Sequence, residues 1–582
     1  MATESDLEEK RPILDTSHLR GDFYGGLTAG IVALPLGLAF GAGVFPHDEQ
    51  LGATAGLWGA ILVGFFAAAF GGTNTQISGP TGPMVVVFAG LLASLTASLS
   101  VANPGLDDGQ IITMAIPLLF AAVVLGGVIQ ILMGVFKTGQ FIKLVPYPVI
   151  SGFMSGIGVI IILLQTSRLF GGKPESGQIF DAMLAIPPAI ANTNPVALGI
   201  SLLTLAIVFF WPKRIGKFLP GTLAALIIGT IVSMLIPGAP LLGEIKAGIP
   251  DFLLPAFSGD TFLLVLQAAF VLAVLGAVDS LLTSLIADNV TRTRHNSDQE
   301  LIGQGIGNTI AGFFGALPGA GATMRTMVNI RTGGVTKISG MIHGAALAAI
   351  VLVASPLAAQ IPTAVLAGIL VKVGFDIIDF AYLRKGLKGP KWDLFLMLLV
   401  LGLTVFFDLI TAVGAGVFLA ALAYVKQVAD EQTNAVNAEA PQDARPEELS
   451  LLEEAGGKVL LYDFGGPLSF GAAADLGHHV RQRVKRGTEA IVLDFSRKTF
   501  IDVSAARAVE TIACDAKEAG KTVFVTGMNQ RVKDMLSGLN ADHCLPGDTA
   551  YDDRISALKA AVDSVRSAGG TSGRDPEMEP AE

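Results

Sequence analysis

Charged residues and cysteines are scarce in this chain, and each scarcity excludes a class of protein. Asp, Glu, Lys and Arg make up 15% of the 582 residues, against 51% hydrophobic residues, which excludes a soluble protein of this length. There are two cysteines, Cys514 and Cys544. Because two thiols are too few for a disulfide framework or a zinc site, we expect both to be reduced in a cytosolic domain.

Motifs for catalysis and for nucleic-acid binding are also missing. The sequence contains no phosphate-binding loop with its lysine, no cluster of metal ligands and no nucleophile with a base and an acid, so we expect neither an enzyme nor a cofactor. The net charge of −10 argues against a nucleic-acid partner. Residues 1–20 hold no apolar core, so no cleavable signal peptide is expected and the first membrane helix would direct targeting.

Long apolar runs dominate residues 21–427, and about 20 apolar residues are enough for a helix to cross a bilayer. We predict fourteen transmembrane segments, at 22–44, 51–71, 80–100, 111–136, 146–166, 195–211, 218–236, 262–287, 299–316, 320–331, 337–355, 361–378, 392–408 and 409–427. Seven spans fall in each half, and an odd number makes the two halves run in opposite senses. The spans therefore predict a 7+7 inverted repeat.

Positive residues indicate the orientation of these spans. Most Lys and Arg residues, such as Lys213, Arg214, Arg384 and Lys385, fall in loops that a cytoplasmic N-terminus would place inside. We therefore predict a multi-pass protein of the plasma (inner) membrane with cytoplasmic N- and C-termini. Residues 1–20 would form a cytoplasmic tail.

The composition changes after the last apolar run. Residues 428–448 hold six acids and are predicted to form a solvated linker. Strands predicted at 459–464, 490–495 and 523–526 alternate with helices at 471–486, 504–519 and 530–537, a pattern typical of a small α/β domain, here over 449–566. Residues 567–582 are small, polar and acidic, so we expect a disordered tail.

Two short Gly- and Pro-rich stretches, 78–83 and 318–323, interrupt the apolar pattern at membrane depth, and each leads into a new helix. Within a bilayer, broken backbone is tolerated only where protein or a cavity satisfies it. Because a helix N-terminus presents free N–H groups and partial positive charge, breaks in corresponding positions of two halves predict the anion site of a transporter. Ordinary kinks between packed helices are the alternative.

An acid lies inside the eighth predicted span. Insertion scales give a cost of at least about 2.5 kcal/mol for a carboxylate at this depth, so Asp279 is a candidate functional residue. Thr283 follows four residues later and shares its helix face. A neutral or paired structural acid is the alternative.

Several motifs resemble those of the sulfate-permease-type anion transporters. The first span, including residues 20–22 and 33–41, is similar to the first helix of that family. Motifs at 56–60, 80–83 and 301–308 are most similar to its cyanobacterial sodium-dependent bicarbonate transporters. Residues 492–495 and 500–504 resemble the family's C-terminal STAS domain, named after sulfate transporters and anti-sigma-factor antagonists.

This resemblance implies a core and a gate, a homodimer and an elevator-like movement. It implies a sodium site made of Asp279, Thr283, Gly321, Ala322 and Thr323, and beside it an anion site that includes Thr81, Gly82, Ala322, Thr323 and Arg325. Arg325 would either add positive potential to the anion site or pair with a carboxylate as a structural tie. Thr323-Met324 departs from the family's usual Phe-Ser pattern, which weakens any case for sulfate selectivity.

In the C-terminal domain, Ser504 aligns with a serine that is phosphorylated in related anti-sigma antagonists, so it is a candidate regulatory residue. Helix capping by Ser504 or Asp502 is the alternative.

We therefore predict sodium-coupled bicarbonate uptake by a secondary active transporter. Its partners would be bicarbonate or a similar small oxyanion, Na⁺ as the coupling ion, the lipid bilayer and a second copy of the chain. The alternatives are a proton-coupled sulfate or dicarboxylate symporter, a facilitative channel or exchanger, and a membrane-tethered regulatory module.

Overall fold

The structure is a computed structural model that divides the chain into two compact units, Met1–Val417 and Phe418–Glu582. It describes residues 18–45, 48–139, 146–172, 179–388, 391–407, 412–426, 444–464, 487–497, 501–545 and 550–569, without 213, 218, 244–247, 249, 256–258, 260, 413 and 424.

Helices and two very short strands make up the part of the chain up to residue 423. The elements of the first half are α1 (Leu19–Val44), α2 (Glu49–Phe70), β1 (Ser78–Gly79), α3 (Gly82–Ala102), α4 (Asp108–Val135), α5 (Tyr147–Leu169), α6 (Ile179–Ala191), α7 (Pro195–Phe210) and α8 (Gly221–Leu235). Those of the second half are α9 (Phe262–Thr291), α10 (Ser297–Phe313), β2 (Ala320–Gly321), α11 (Thr323–Arg331), α12 (Lys337–Ala358), α13 (Thr363–Ile377), α14 (Phe380–Gly386), α15 (Lys391–Phe406) and α16 (Gly414–Ala423).

A helix overlaps each of the fourteen predicted segments, with ends that differ by a few residues. Of the described helices, six are long and apolar enough to cross a bilayer alone, and the pair α6–α7, bent by 116°, would add one more. The number of membrane crossings stays a prediction. Two of the described helices before residue 424 were not predicted: α14 is short, and α6 contains Pro187 and Pro188, which normally disfavour a helix interior.

The helices pack in two groups. The first helix group consists of α1–α4 and α9–α12, and the second consists of α5–α8 and α13–α15. Most contacts between helices fall within one group, while α1 and α3 reach across to α5, α8 and α13. Each group takes corresponding helices from both halves of the chain. The two breaks, β1 and β2, belong to the first helix group.

The C-terminal unit contains a parallel four-stranded sheet in the order β3 (Val459–Asp463), β4 (Ala490–Asp494), β5 (Thr522–Thr526) and β6 (Ala550–Tyr551). The helices among its described residues are α17 (Pro446–Glu454), α18 (Val503–Glu518), α19 (Gln530–Gly538) and α20 (Arg554–Gly569). The apolar side chains of α18 and α19 pack in one cluster with the sheet, and those of α17 and α20 pack in another. The predicted α/β arrangement is therefore present, whereas the helix predicted at 471–486 lies outside the described residues.

Both predicted borders of this domain need correction. The linker was expected to reach residue 448, but α17 already begins at Pro446, and Glu448 is buried against Arg554 at 3.3 Å. Arg554 also contacts Asp494 at 2.6 Å. Burial opposes the charge of Arg554, yet the charges of Asp494, Asp463 and Glu448 raise the pKa of its guanidinium above the ordinary value. This network holds the end of the predicted linker in the domain.

At the other border, α20 extends to Gly569, three residues into the predicted disordered tail. Residues 428–443 and 570–582 lie outside the described residues.

The expectation of two reduced cysteines is wrong for this structure. Cys514 lies within α18 and Cys544 in the turn after α19, and the two are joined by a disulfide with their Cα atoms 5.1 Å apart. The two cysteines are 30 residues apart in the sequence, and they come close because α18 and α19 pack in the same apolar cluster.

Candidate functional site

The two breaks predicted from the sequence meet in the structure. β1 and β2 pair as antiparallel strands, with Ser78 opposite Gly321 and Gly79 opposite Ala320. The Ala322 N–H extends this pairing by donating to the Ile77 carbonyl at 2.8 Å. Backbone polar groups that would be exposed by the breaks therefore satisfy each other, as a low-dielectric environment requires.

Two glycines allow this close pairing. Gly79 has a φ of +147°, a conformation that side chains rarely adopt. A Cβ atom on Gly319 would lie 2.4 to 2.7 Å from backbone atoms of Gly79. Only glycine at these positions lets the two strands approach.

A helix starts directly after each strand. Thr81 and Ala322 are the N-cap residues of α3 and α11, and neither side chain caps its helix. First-turn N–H groups of both helices therefore remain free of capping side chains. Because the strands are antiparallel, two positive helix ends lie beside one another, an arrangement that favours an anion.

Helix α9 brings the predicted cation ligands to the same place. The Thr283 hydroxyl lies 3.0 Å from the Gly321 carbonyl oxygen, to which it donates, and 2.8 Å from the Thr323 hydroxyl. Ser280 fixes this position, since its hydroxyl accepts a hydrogen bond from the Gly321 N–H at 3.0 Å. Asp279 lies one turn before Thr283 on α9. The structure thus groups Thr283, Gly321 and Thr323, with Ala322 between the last two.

Two polar atoms beside this group are shielded from solvent and have no hydrogen-bond partner among the described residues: Asp279 Oδ2 and Thr81 Oγ1. The Asp279 carboxyl group lies near the Thr81 hydroxyl, and the charge of Arg325 acts on it. Buried polar atoms without partners are rare and call for an explanation. An ion bound between these side chains would supply it, and a carboxylate with hydroxyl and carbonyl oxygens is a donor set that suits a hard cation.

Arg325 ties the first break to the second. It is 2% exposed, and its Nη2 donates to the Pro80 carbonyl at 2.6 Å. The predicted structural tie was to a carboxylate, whereas the hydrogen-bond partner found here is a backbone carbonyl. The guanidinium charge also acts on Asp279, and its effect on an anion stays a prediction.

Gly82 faces the second helix group. A Cβ atom there would lie 2.8 Å from Ile377 and 3.0 Å from Ile161, which belong to α13 and α5. The start of α3 is thus pressed against an apolar surface of the other helix group. The candidate anion site lies at the boundary of the two groups.

Sequence reasoning missed a buried polar network that supports the site. Glu300 accepts four hydrogen bonds, from the backbone N–H groups of Gly72 and Thr73 and from the side chains of Gln76 and Gln304.

Farther along α10, Asn308 clamps the second break by donating to the Gly319 carbonyl at 3.0 Å and accepting from the Gly319 N–H at 2.8 Å. Glu300, Gln304 and Asn308 recur every four residues, so their spacing in an apolar segment was the signal that could have revealed this network.

Comparisons with known proteins agree with this architecture. Residues 19–400 match the sulfate permease family, and residues 452–553 match the STAS domain. The chain belongs to the sulfate permease family. It is therefore a multi-pass membrane transporter with a C-terminal STAS domain, as the sequence predicted.

Two relatives and one more distant structure illustrate this membership. The bicarbonate transporter BicA of Synechocystis sp. is 43% identical, over 94% of each chain. The solved transmembrane domain of a cyanobacterial BicA is 44% identical, has a TM-score of 0.63 and matches 69% of this chain and 98% of its own. SLC26A9 is 18% identical with a TM-score of 0.76 over 96% of this chain and 93% of its own, which shows the shared fold.

The candidate regulatory residue of this family member lies at the start of α18. Asp502 is the N-cap, and its Oδ1 accepts from the Ala505 N–H at 2.8 Å. Ser504 does not cap the helix and is exposed. Its phosphorylation stays a prediction.

Proposed function

We propose that this protein takes up bicarbonate together with sodium ions. The observation that carries the proposal is the meeting of Thr283, Gly321 and Thr323, one turn from Asp279, beside two uncapped helix starts. An all-oxygen donor set with one carboxylate and a cluster of free N–H groups therefore share one small volume. Such a pair of subsites suits a cation and an anion that are carried together.

Sodium serves as a co-transported substrate in this proposal. Asp279, Thr283, Gly321, Ala322 and Thr323 would hold it through carboxylate, hydroxyl and carbonyl oxygens. The positive ion then offsets the charge of Asp279, which otherwise repels an anion at Thr81. Binding of either ion strengthens binding of the other, because coupling between sites is reciprocal.

Bicarbonate is the proposed anion because it is small, singly charged and rich in acceptor oxygens. Its oxygens can accept hydrogen bonds from the free N–H groups at the start of α3 and α11. They can also accept from the hydroxyls of Thr81 and Thr323. The 43% identity with a bicarbonate transporter over nearly the whole chain supports this choice.

The division into two helix groups supports an elevator-like movement. Both candidate subsites are built on the first helix group, while the second presents Ile161 and Ile377 to Gly82. Sliding of the first group past this apolar surface would carry both ions together. We propose that the first group is the core and the second the gate, in a homodimer of the plasma membrane with cytoplasmic termini.

Uptake of labelled bicarbonate into proteoliposomes with the full-length protein tests the proposal. We expect an inward sodium gradient to drive accumulation above equilibrium, with potassium replacement and protein-free liposomes as controls. Measuring uptake over short times at alkaline pH limits the diffusion of carbon dioxide through the lipid. Sodium-independent uptake of sulfate or a dicarboxylate that rises at acidic pH would contradict the proposal, as would equilibration of bicarbonate without accumulation.

Arg325 provides a second test. Because hydrogen bonds to charged groups contribute about 1.5–3 kcal/mol, we expect Arg325→Gln to raise the bicarbonate concentration for half-maximal uptake by about tenfold or more. Arg325→Lys retains the charge and should have a smaller effect. Arg331→Gln, at the exposed end of the same helix, is the matched control. An Arg325→Gln protein with unchanged half-saturation would show that this charge does not act on the anion.

A further inference from the structure

Three side chains of the C-terminal domain converge at a place that the transport function does not use. Cys514 and Cys544 are joined in a disulfide, and His543 lies beside them. The two cysteines are half-buried and the histidine is exposed, so small solutes can reach the group. We call these three residues the thiol cluster.

The orientation of His543 matters for its chemistry. Its Nδ1 lies 2.9 Å from the Asn540 carbonyl oxygen, which can only accept, so in the neutral ring Nδ1 carries the hydrogen. Nε2 then holds the lone pair, and it lies 3.6 Å from Cys514 Sγ. Glu510 adds a carboxylate oxygen 3.4 Å from Nδ1, which stabilises the ring when Nε2 gains a proton. His543 is therefore placed as a proton acceptor for Cys514.

We propose that the thiol cluster is a reversible redox site at which Cys514, with His543 as its base, reacts with a low-molecular-weight disulfide such as glutathione disulfide. Cys544 is the resolving thiol. This inference rests on the proposed cytoplasmic location of the C-terminus. In such a reducing compartment protein disulfides are usually transient or redox-sensing, and half-buried cysteines beside a base fit that role better than a structural bridge. The proposal is independent of which anion the protein carries.

The reaction balances in two steps. His543 Nε2 takes the Cys514 proton, and the thiolate attacks one sulfur of glutathione disulfide; that S–S bond breaks, and one glutathione leaves and takes up the proton. Cys544 then loses its proton to water and attacks Cys514 Sγ; the mixed S–S bond breaks, and the second glutathione leaves as a thiolate that takes up a proton from water. The protein loses two electrons, and glutathione disulfide is reduced to two thiols.

Oxidation has a structural consequence inside the domain. α18 and α19 already share an apolar cluster that includes Ile512, Val532 and Leu536. The disulfide adds a covalent tie between α18 and the turn that follows α19. Reduction removes that tie and leaves the turn held by weaker contacts, so we expect faster amide hydrogen exchange in residues 539–545 of the reduced protein.

The test uses the full-length protein in detergent with a chelator present to exclude trace metals. The protein is equilibrated with reduced and oxidised glutathione over the range of ratios found in cells, and free thiols are trapped with a maleimide that shifts the mobility on gels. We expect a single two-electron transition within that range. Thiols that stay reduced in excess oxidised glutathione, or a disulfide that survives excess reduced glutathione, would overturn the proposal.

Single variants separate the roles of the three residues. Cys544→Ser should stop after the first step, with one glutathione per chain by mass spectrometry, whereas Cys514→Ser should accumulate none. His543→Gln should slow formation of the Cys514 mixed disulfide at neutral pH by about tenfold or more. It should also shift the pH dependence of this rate to higher pH. Asp542→Asn, a change at the exposed neighbouring residue, is the matched control. Equal rates in the His543→Gln and control proteins would show that His543 is not the base and would overturn the proposal.

Discussion

Replacing Asp279 by asparagine is expected to abolish sodium-driven accumulation of bicarbonate. The substitution keeps the size of the side chain and the path of α9 but removes the negative charge one turn from Thr283. Loss of one partner of a buried charge pair costs about 3–5 kcal/mol, so initial uptake at fixed sodium should fall about 100-fold or more.

Thermal unfolding in detergent gives a readout that does not depend on transport. If sodium binds as proposed, it stabilises the folded wild type by mass action, so the unfolding midpoint should rise with sodium concentration. The Asp279→Asn midpoint should not respond. Asp376→Asn is the matched control, because Asp376 is exposed on α13 and pairs with Lys372. This substitution should leave both the uptake and the response of the midpoint to sodium intact.

Retained sodium-driven uptake in Asp279→Asn would exclude the carboxylate from the cation site. If the variant loses uptake while its midpoint still rises with sodium, the ion binds elsewhere and Asp279 acts only on the anion.

Gly319→Ala should disrupt the site without altering any charge. The added Cβ would lie 2.4 to 2.7 Å from backbone atoms of Gly79. Because these are backbone atoms, a change of side-chain rotamer cannot relieve the clash. Overpacking of this kind typically costs about 1–3 kcal/mol, and here it also separates β1 from β2 and strains the Asn308 clamp. We expect a lower unfolding midpoint and loss of transport.

Gly90→Ala is the matched control, because it lies in α3 and a Cβ there meets nothing within 4 Å. Size-exclusion chromatography after graded heating measures the fraction of protein that remains folded, and uptake is measured in parallel. Wild-type behaviour of Gly319→Ala in both assays would show that the strand pairing is not needed for the site.

The sequence was sufficient for those features that depend on local pattern. Apolar length predicted the helices, Gly and Pro marked the two breaks, and the four-residue spacing placed Asp279 and Thr283 on one face of α9. The pairing of Ser78 with Gly321 could not be predicted, because it joins positions from opposite halves of the chain through backbone atoms alone.

Other features depended on tertiary contacts in the same way. The linker border shifted because Glu448 is held by Arg554, which lies far along the chain. The disulfide required α18 and α19 to pack on one side of the sheet. By contrast, the repeat of polar residues at Glu300, Gln304 and Asn308 was visible in the sequence and was not used.

The pairing of the two breaks also bears on how such a transporter could change its preference among anions. The backbone around β1 and β2 is fixed from both sides, by the strand pairing and by Asn308 and Arg325. The N–H groups that would bind the proposed anion therefore cannot be rearranged without disrupting the fold of the first helix group. Selectivity must then be set by the few side chains around that fixed scaffold, such as Thr81 and Thr323. New substrates would then be acquired by exchanging single side chains around a fixed backbone.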